Sequence, residues 1–170
     1  MPSITVSLKD LSSLLGRSID GPEWLEKHLS FVKGELKAWN PSEDEAKIEL
    51  NDTNRPDLWC PEGIARQIKA KLTGTSRKYC FIENSSTVGK IVVDGSIDGV
   101  RPYIAAFTAK GAAIDDAALR QLIQSQEKLS DTFGRNRSAV ATGVYKLGKI
   151  DFPVKYYLVD EGESAFVPLG

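Results

Sequence analysis

The stretch Asn51-Asp52-Thr53-Asn54-Arg55-Pro56-Asp57-Leu58-Trp59-Cys60-Pro61 joins two different periodicities, and its reading decides the first fold unit. Pro56 forces Arg55 into an extended backbone, and Asp57 is placed to cap a helix behind it. That helix runs from about Pro61 to Thr73, with Ile64, Ala65, Ile68 and Leu72 facing inward and Gly74 closing it. Before the stretch, the pattern is that of a hairpin. Leu36 and Trp39 form one arm, Asn40 to Asp44 the turn, and Ile48 and Leu50 the other arm.

Further upstream, Ile4 and Val6 begin a short extended segment. Ser7 can then N-cap a helix, with Asp10 three residues on, and Leu8, Leu11, Leu14 and Leu15 make its apolar face before Gly16 stops it. A second helix opens at Pro22, a residue suited to a first helical position, with Trp24, Leu25, Leu29 and Val32 as its stripe and Gly34 at its end. Residues 1–75 thus read as three helices and a hairpin.

Downstream, Gly74-Thr75-Ser76 is a hinge. Tyr79–Ile82 and Ile91–Val93 look strand-like, and residues 102–109 (PYIAAFTA) read as a well-buried strand. Asp115 caps the longest helix, with Leu119, Leu122, Ile123, Leu129 and Phe133 on its inner face and Gly134 at its end. Two more strands are expected over 139–145 and 154–159. The order strand–helix–strand–strand predicts an α/β layer with mixed or antiparallel pairing. The domain division is therefore 1–75 and 76–170, and the fold class α+β. The apolar close, Ala165 to Leu169, reads as the edge of a truncated domain.

Composition narrows the chemistry. The chain has 170 residues, 22 basic and 23 acidic side chains, and 41% hydrophobic residues, which suits a soluble globular protein. Residues 1–75 carry 10 basic and 12 acidic side chains, and residues 76–170 carry 12 and 11. Neither half can hold nucleic acid by bulk charge, so RNA binding would need a local patch. The one histidine, His28, lies between Leu25 and Leu29 and reads as an ordinary, partly buried residue. Cys60 and Cys80 are too few for a zinc cluster or disulfide framework and read as free thiols of a reducing compartment. The start lacks a signal-peptide pattern, and no apolar run reaches membrane-spanning length, so the cytoplasm is expected.

No P-loop, dinucleotide fingerprint or nucleophile elbow is present. The serine of Gly95-Ser96-Ile97-Asp98-Gly99 does not match the elbow spacing. Asp115 and Asp116 read as a cap and first-turn acid, and Glu62 and Arg66 as a surface ion pair four apart. Catalytic, cofactor-binding and metal-binding residues are accordingly none. The candidate RNA or domain contacts are Arg55, pinned between strand and helix where it can pair a carboxylate or a phosphate, and Arg135 and Arg137 after the long helix. For Arg55 a turn-and-cap role is the preferred reading. For the pair, stabilisation by the helix dipole competes with phosphate contact.

Several collinear motifs carry a family resemblance. The opening Met1-Pro2 through Leu15-Gly16-Arg17, Ile48-Glu49-Leu50, Asn54-Arg55-Pro56-Asp57-Leu58 and Glu62-Gly63-Ile64-Ala65-Arg66 come first. Arg101-Pro102-Tyr103-Ile104-Ala105, Gln126-Glu127-Lys128-Leu129 and Gly134-Arg135-Asn136-Arg137 follow, then Val140 to Tyr145 and Phe166 to Leu169. In this order they resemble the β subunit of phenylalanyl-tRNA synthetase in its archaeal and eukaryotic-cytosolic form, over the whole chain.

The resemblance implies an α2β2 enzyme that ligates phenylalanine to its tRNA with ATP and magnesium. Its α subunit carries the aminoacylation site, and its β subunit an editing domain that hydrolyses misattached tyrosine. It implies the α subunit and phenylalanine tRNA as partners, with neither membrane nor DNA. Residues 1–75 would be a winged-helix-like amino-terminal domain, and residues from about 76 the start of the α/β editing-type domain. On that resemblance the editing-pocket residues of the family lie beyond this chain, so the segment is expected to be structural, with a tRNA-facing surface as an option, and not catalytic; ATP and magnesium belong to the parent enzyme.

Rejecting phenylalanine in favour of tyrosine needs a closed pocket with a partner for one hydroxyl, and the residues offer none. Two other readings remain open. A free-standing trans-editing hydrolase would need a carboxylate near the ester, with Glu127 or Asp131 as candidates on a helix whose other face is core. An RNA-binding adaptor built on the first domain is opposed by that half's net acidity.

Overall fold

A computed structural model describes residues 2–76, 78, 86–111, 113–160, 162 and 165. By its internal contacts the chain divides into two units, one of residues 1–79 with 113–144 and one of residues 80–112 with 145–170.

In the first unit, β1 (Ser3–Ser7) runs directly into α1 (Leu8–Leu15). Ser7 ends the strand and caps the helix, its Oγ accepting from the Asp10 N–H at 3.1 Å. The same hydroxyl donates to Asp44 Oδ2 at 2.6 Å, while Asp44 Oδ1 accepts from the Lys9 N–H at 3.0 Å. Gly16, at φ 72°, closes α1 in the left-handed region as expected. Helix α2 (Pro22–Leu29) continues through a 3₁₀ turn at Ser30–Val32. The residue that stops it is Lys33, at φ 50°, and the expected stop Gly34 instead opens β2 (Gly34–Asn40). Lys33 takes the left-handed position itself, and Gly34 sits close to Val32, where a side chain would be tight.

Strand β2 turns into β3 (Glu45–Leu50), giving the expected hairpin, and β1 joins it in an antiparallel sheet of order β1-β3-β2. Helix α3 (Pro61–Thr73) has the predicted bounds, with Gly74 at φ 69°. Ile4, Val6, Leu11, Leu25, Leu29, Ile48, Leu50, Leu58, Trp59, Ile64 and Ile68 form a single buried core between the sheet and the three helices. Leu72, expected inside, is exposed because the last turn of α3 has passed the end of that core.

Helix α4 (Asp116–Lys128) also packs in this unit, capped by Asp115, whose Oδ1 accepts from the Ala118 N–H at 2.8 Å. A π turn, Leu129–Phe133, extends it. Its expected inner face is turned out. Leu119, Leu122, Ile123 and Phe133 are exposed, and only Leu129 packs on the core. The reason is a polar attachment: Gln121 Nε2 donates to Asp10 Oδ2 at 2.6 Å, and Gln124 bonds the backbone of Thr5.

In the second unit, β4 (Ile91–Val93) pairs in parallel with β5 (Val154–Tyr156), Ile91 opposite Val154. Asp94 accepts from the Ser96 N–H at 2.8 Å and starts a short 3₁₀ turn that buries Ile97. The expected strand over 154–159 is thus shortened. Those over 102–109 and 139–145 are not formed: Tyr103 and Phe107 are 92% and 93% exposed, and Val144 and Tyr145 are exposed as well. Apolar, β-prone text makes a strand only where another strand completes its ladder, and among the described residues none does so. The strand expected at Tyr79–Ile82, Cys80, and the apolar close Phe166–Leu169 lie outside the described residues.

Candidate functional site

A cluster of three charged side chains forms where the loop after β3 meets α3. Pro56–Leu58 makes a 3₁₀ turn, and Cys60 rather than Asp57 occupies the cap position of α3, with extended backbone. Asp57 is therefore released from the capping role expected of it. Its carboxylate takes a fork from Arg55, Nε to Oδ1 at 2.9 Å and Nη2 to Oδ2 at 3.0 Å. Arg66, reaching back from α3, donates Nη2 to Oδ2 at 2.6 Å. The i,i+4 partner expected for Arg66, Glu62, gives way to this carboxylate because Asp57 lies against the first turn of the helix.

The hydrogen bonds from Arg55, outweighing burial, hold the Asp57 carboxyl below its ordinary range, and Arg55 is raised in turn. Two guanidiniums share one carboxylate, so Arg55, Asp57 and Arg66 clasp the loop to α3. Gly63 allows the approach, since a Cβ there would run into the Asp57 carbonyl oxygen. Sequence reading placed Arg55 at this junction but paired Arg66 with Glu62 instead of with Asp57, nine residues away.

Beside the clasp, burial pushes the Cys60 thiol up to about 11, the opposite of what a nucleophile requires. His28 is buried, its ring stacked on Trp24 at 3.9 Å between centroids and Nδ1 at 2.7 Å from the Trp24 carbonyl. Phe31 meets it edge-on and the Arg17 guanidinium lies 4.8 Å from the Trp24 ring centre. The histidine is a packing residue, as its sequence neighbours suggested.

The other candidates, Arg135 and Arg137, lie on the turn after the π segment, on a different element from Arg55. Arg135, Asn136 and Arg137 have φ values of 50°, 54° and 66°, three left-handed residues in succession, and all are exposed. Glu127 and Asp131 are exposed too, and neither lines a surface hollow of about 460 Å³ beside α1 or another of about 660 Å³ beside β5. Among the described residues no three of His, Cys, Asp and Glu gather as metal ligands, and Asp57 is already neutralised by arginines. These described residues do not fit a magnesium–nucleotide site.

No family model matches the chain. Against individual proteins it is 38% identical over 174 residues to "Phenylalanine--tRNA ligase beta subunit" of Borrelia duttonii (strain Ly), covering all of this chain and 30% of that protein. With the protein of the same name from Thermococcus kodakarensis the identity is 42% over 175 residues, covering 29% of it. The crystal structure of an N-terminal fragment of the phenylalanyl-tRNA synthetase beta subunit from Pyrococcus horikoshii superposes with a TM-score of 0.86 at 37% identity, over 99% of this chain and 48% of that one. The chain is a relative of phenylalanine–tRNA ligase beta subunits. It spans about 30% of the length of those curated relatives and matches their amino-terminal region, in agreement with the resemblance carried by its motifs.

Proposed function

We propose that this chain acts as the amino-terminal segment of a phenylalanine–tRNA ligase beta subunit, contributing architecture and a tRNA-facing surface rather than a reaction centre. The observation that carries this reading is the match over the whole chain, in sequence and in fold, to the amino-terminal region of such subunits. On this reading the parent enzyme joins phenylalanine to its tRNA with ATP and magnesium, works in the cytoplasm as an α2β2 assembly, and has an α subunit as partner. The helix-and-hairpin domain of residues 1–75 is winged-helix-like, and residues 76–170 begin the editing-type domain.

The exposed apolar faces support a segment that is completed by further protein. Leu119, Leu122 and Ile123 lie exposed on α4, and Tyr103 and Phe107 lie exposed on the extended segment. The test is to assay the purified chain for phenylalanine activation and for hydrolysis of tyrosyl-tRNA specific for phenylalanine. Neither activity is expected. Hydrolysis that survives replacement of both Cys60 and Cys80 but is lost in Glu127→Gln or Asp131→Asn would overturn the reading in favour of a free-standing editing hydrolase.

A further inference from the structure

We infer that the outward stripe of α4 is a docking surface for further polypeptide of the same beta subunit; the inference rests on the role proposed above and names what completes the segment. Leu119, Leu122 and Ile123 stand at i, i+3 and i+4 and are 46%, 37% and 47% exposed. A turn of about 3.6 residues puts them on one side of the helix and Gln121 and Gln124 on the other. The glutamine side is committed, through Asp10 Oδ2 and both backbone groups of Thr5. Rolling the helix to bury its leucines would break all three hydrogen bonds. Such a stripe is the anchor set of a helix that docks on protein.

Charge and area select the occupant. Helix α4 carries two acidic side chains, Asp116 and Glu127, and two basic ones, Arg120 and Lys128. That balance gives neither an RNA backbone nor an anionic membrane the basic face it requires. Three aliphatic side chains already about half covered offer on the order of 200 Å², against about 800 Å² per partner in a stable interface between separate chains. A second copy or a separate subunit would find too little to hold by this stripe. A tethered segment needs far less, because its effective concentration is already about millimolar. The relatives carry such polypeptide: this chain corresponds to 30% of the Borrelia duttonii subunit and to 48% of the Pyrococcus horikoshii fragment.

The test compares this chain with a chimera in which it replaces the matching part of the Pyrococcus fragment. Ile123→Cys is introduced into both in a Cys80→Ser background, and iodoacetamide labelling at position 123 is followed by mass spectrometry. Labelling should be at least about tenfold slower in the chimera, while Glu43→Cys on the hairpin turn labels equally in both. Without the cysteine, Leu122→Gln should lower the melting temperature of the chimera by several degrees and leave that of the chain alone nearly unchanged. Equal labelling at position 123, or a chimera that does not fold, overturns the inference. Protection of the chain alone that grows with its own concentration assigns the stripe to a second copy and overturns it too. So does protection that appears only on adding an α subunit, phenylalanine tRNA or phosphatidylserine vesicles. Any of these results leaves the proposed role standing, whereas enzymatic activity of the chain alone would remove that role whatever the labelling shows.

Discussion

Gln124 holds both backbone groups of Thr5: its Oε1 accepts from the Thr5 N–H at 2.9 Å and its Nε2 donates to the Thr5 carbonyl at 2.9 Å. Thr5 is the middle of β1, an edge strand of the three-stranded sheet, so a side-chain amide 119 residues away stands in for the missing neighbouring strand. Unpaired edges invite pairing with other chains, and this one is covered in part. Gln124→Ala should destabilise by only about 1 kcal/mol, since water replaces the amide at an exposed edge. Gln124→Glu should cost about as much or more, because one carboxylate oxygen then faces the Thr5 carbonyl. Urea melts of the two variants check the order, and equal stability of Gln124→Ala and the parent chain would show the contact to be idle.

The Asp57 clasp makes stability depend on acid. Its folded carboxyl is held below the ordinary 3.8, so it binds protons less readily than in the unfolded chain. The stabilisation is complete above about pH 4 and is lost as the pH falls through the lowered folded value. At roughly 40% side-chain exposure solvent screens the pairs, which limits the effect of Asp57→Asn at pH 7 to about 1 kcal/mol. The gap between parent and variant should shrink steadily below pH 4. A gap that stays constant to pH 2.5 would place the variant's defect elsewhere.

Gly63→Ala should be far more damaging than either. The added methyl meets the Asp57 carbonyl, a backbone atom that cannot rotate away, in the tightly packed start of α3. Relief requires moving the 3₁₀ turn or the helix, with a loss of roughly 3 kcal/mol or more. Gly74→Ala, where a Cβ meets open space but φ is 69°, should lose only about 1 kcal/mol. Thermal melts of the pair separate collision from conformational strain.

Cys60 should be slow to alkylate. A thiol raised from 9.0 to about 11 carries about a hundredfold less thiolate at pH 8. In a Cys80→Ser background, iodoacetamide should therefore label Cys60 slowly in the folded chain and at an ordinary rate in urea. Rapid labelling under native conditions would contradict the burial that raises the thiol.

Local chemistry made the first unit readable. Ser7 and Asp115 start their helices, and Gly16 and Gly74 end theirs, through bonds and dihedrals decided within a few residues, and α3 and the hairpin appear where their periodicity puts them. The misreadings concern relations across the chain. The leucines of α4 mark an apolar face correctly, but two glutamines, at 121 and 124, decide which way it turns. The segment PYIAAFTA has the composition of a strand, and composition says nothing of whether a partner is at hand. Asp57 looked like a cap because its second arginine is nine positions away. The left-handed turn was hidden for a simpler reason: the residues that usually announce one are absent from two of its three positions.

The junction at Ser7 ties together two rulers of different pitch. A strand repeats every two residues and a helix every 3.6, and one hydroxyl ends the first count and begins the second. Asp44, in the turn of the hairpin, holds that hydroxyl, so the tip of the sheet is keyed to the first turn of α1. Slipping β1 by one residue would expose Ile4 and Val6 and at the same time pull the cap off its helix and its carboxylate. Sheet alignment is thereby proofread by a helix start, without any additional strand to enforce it.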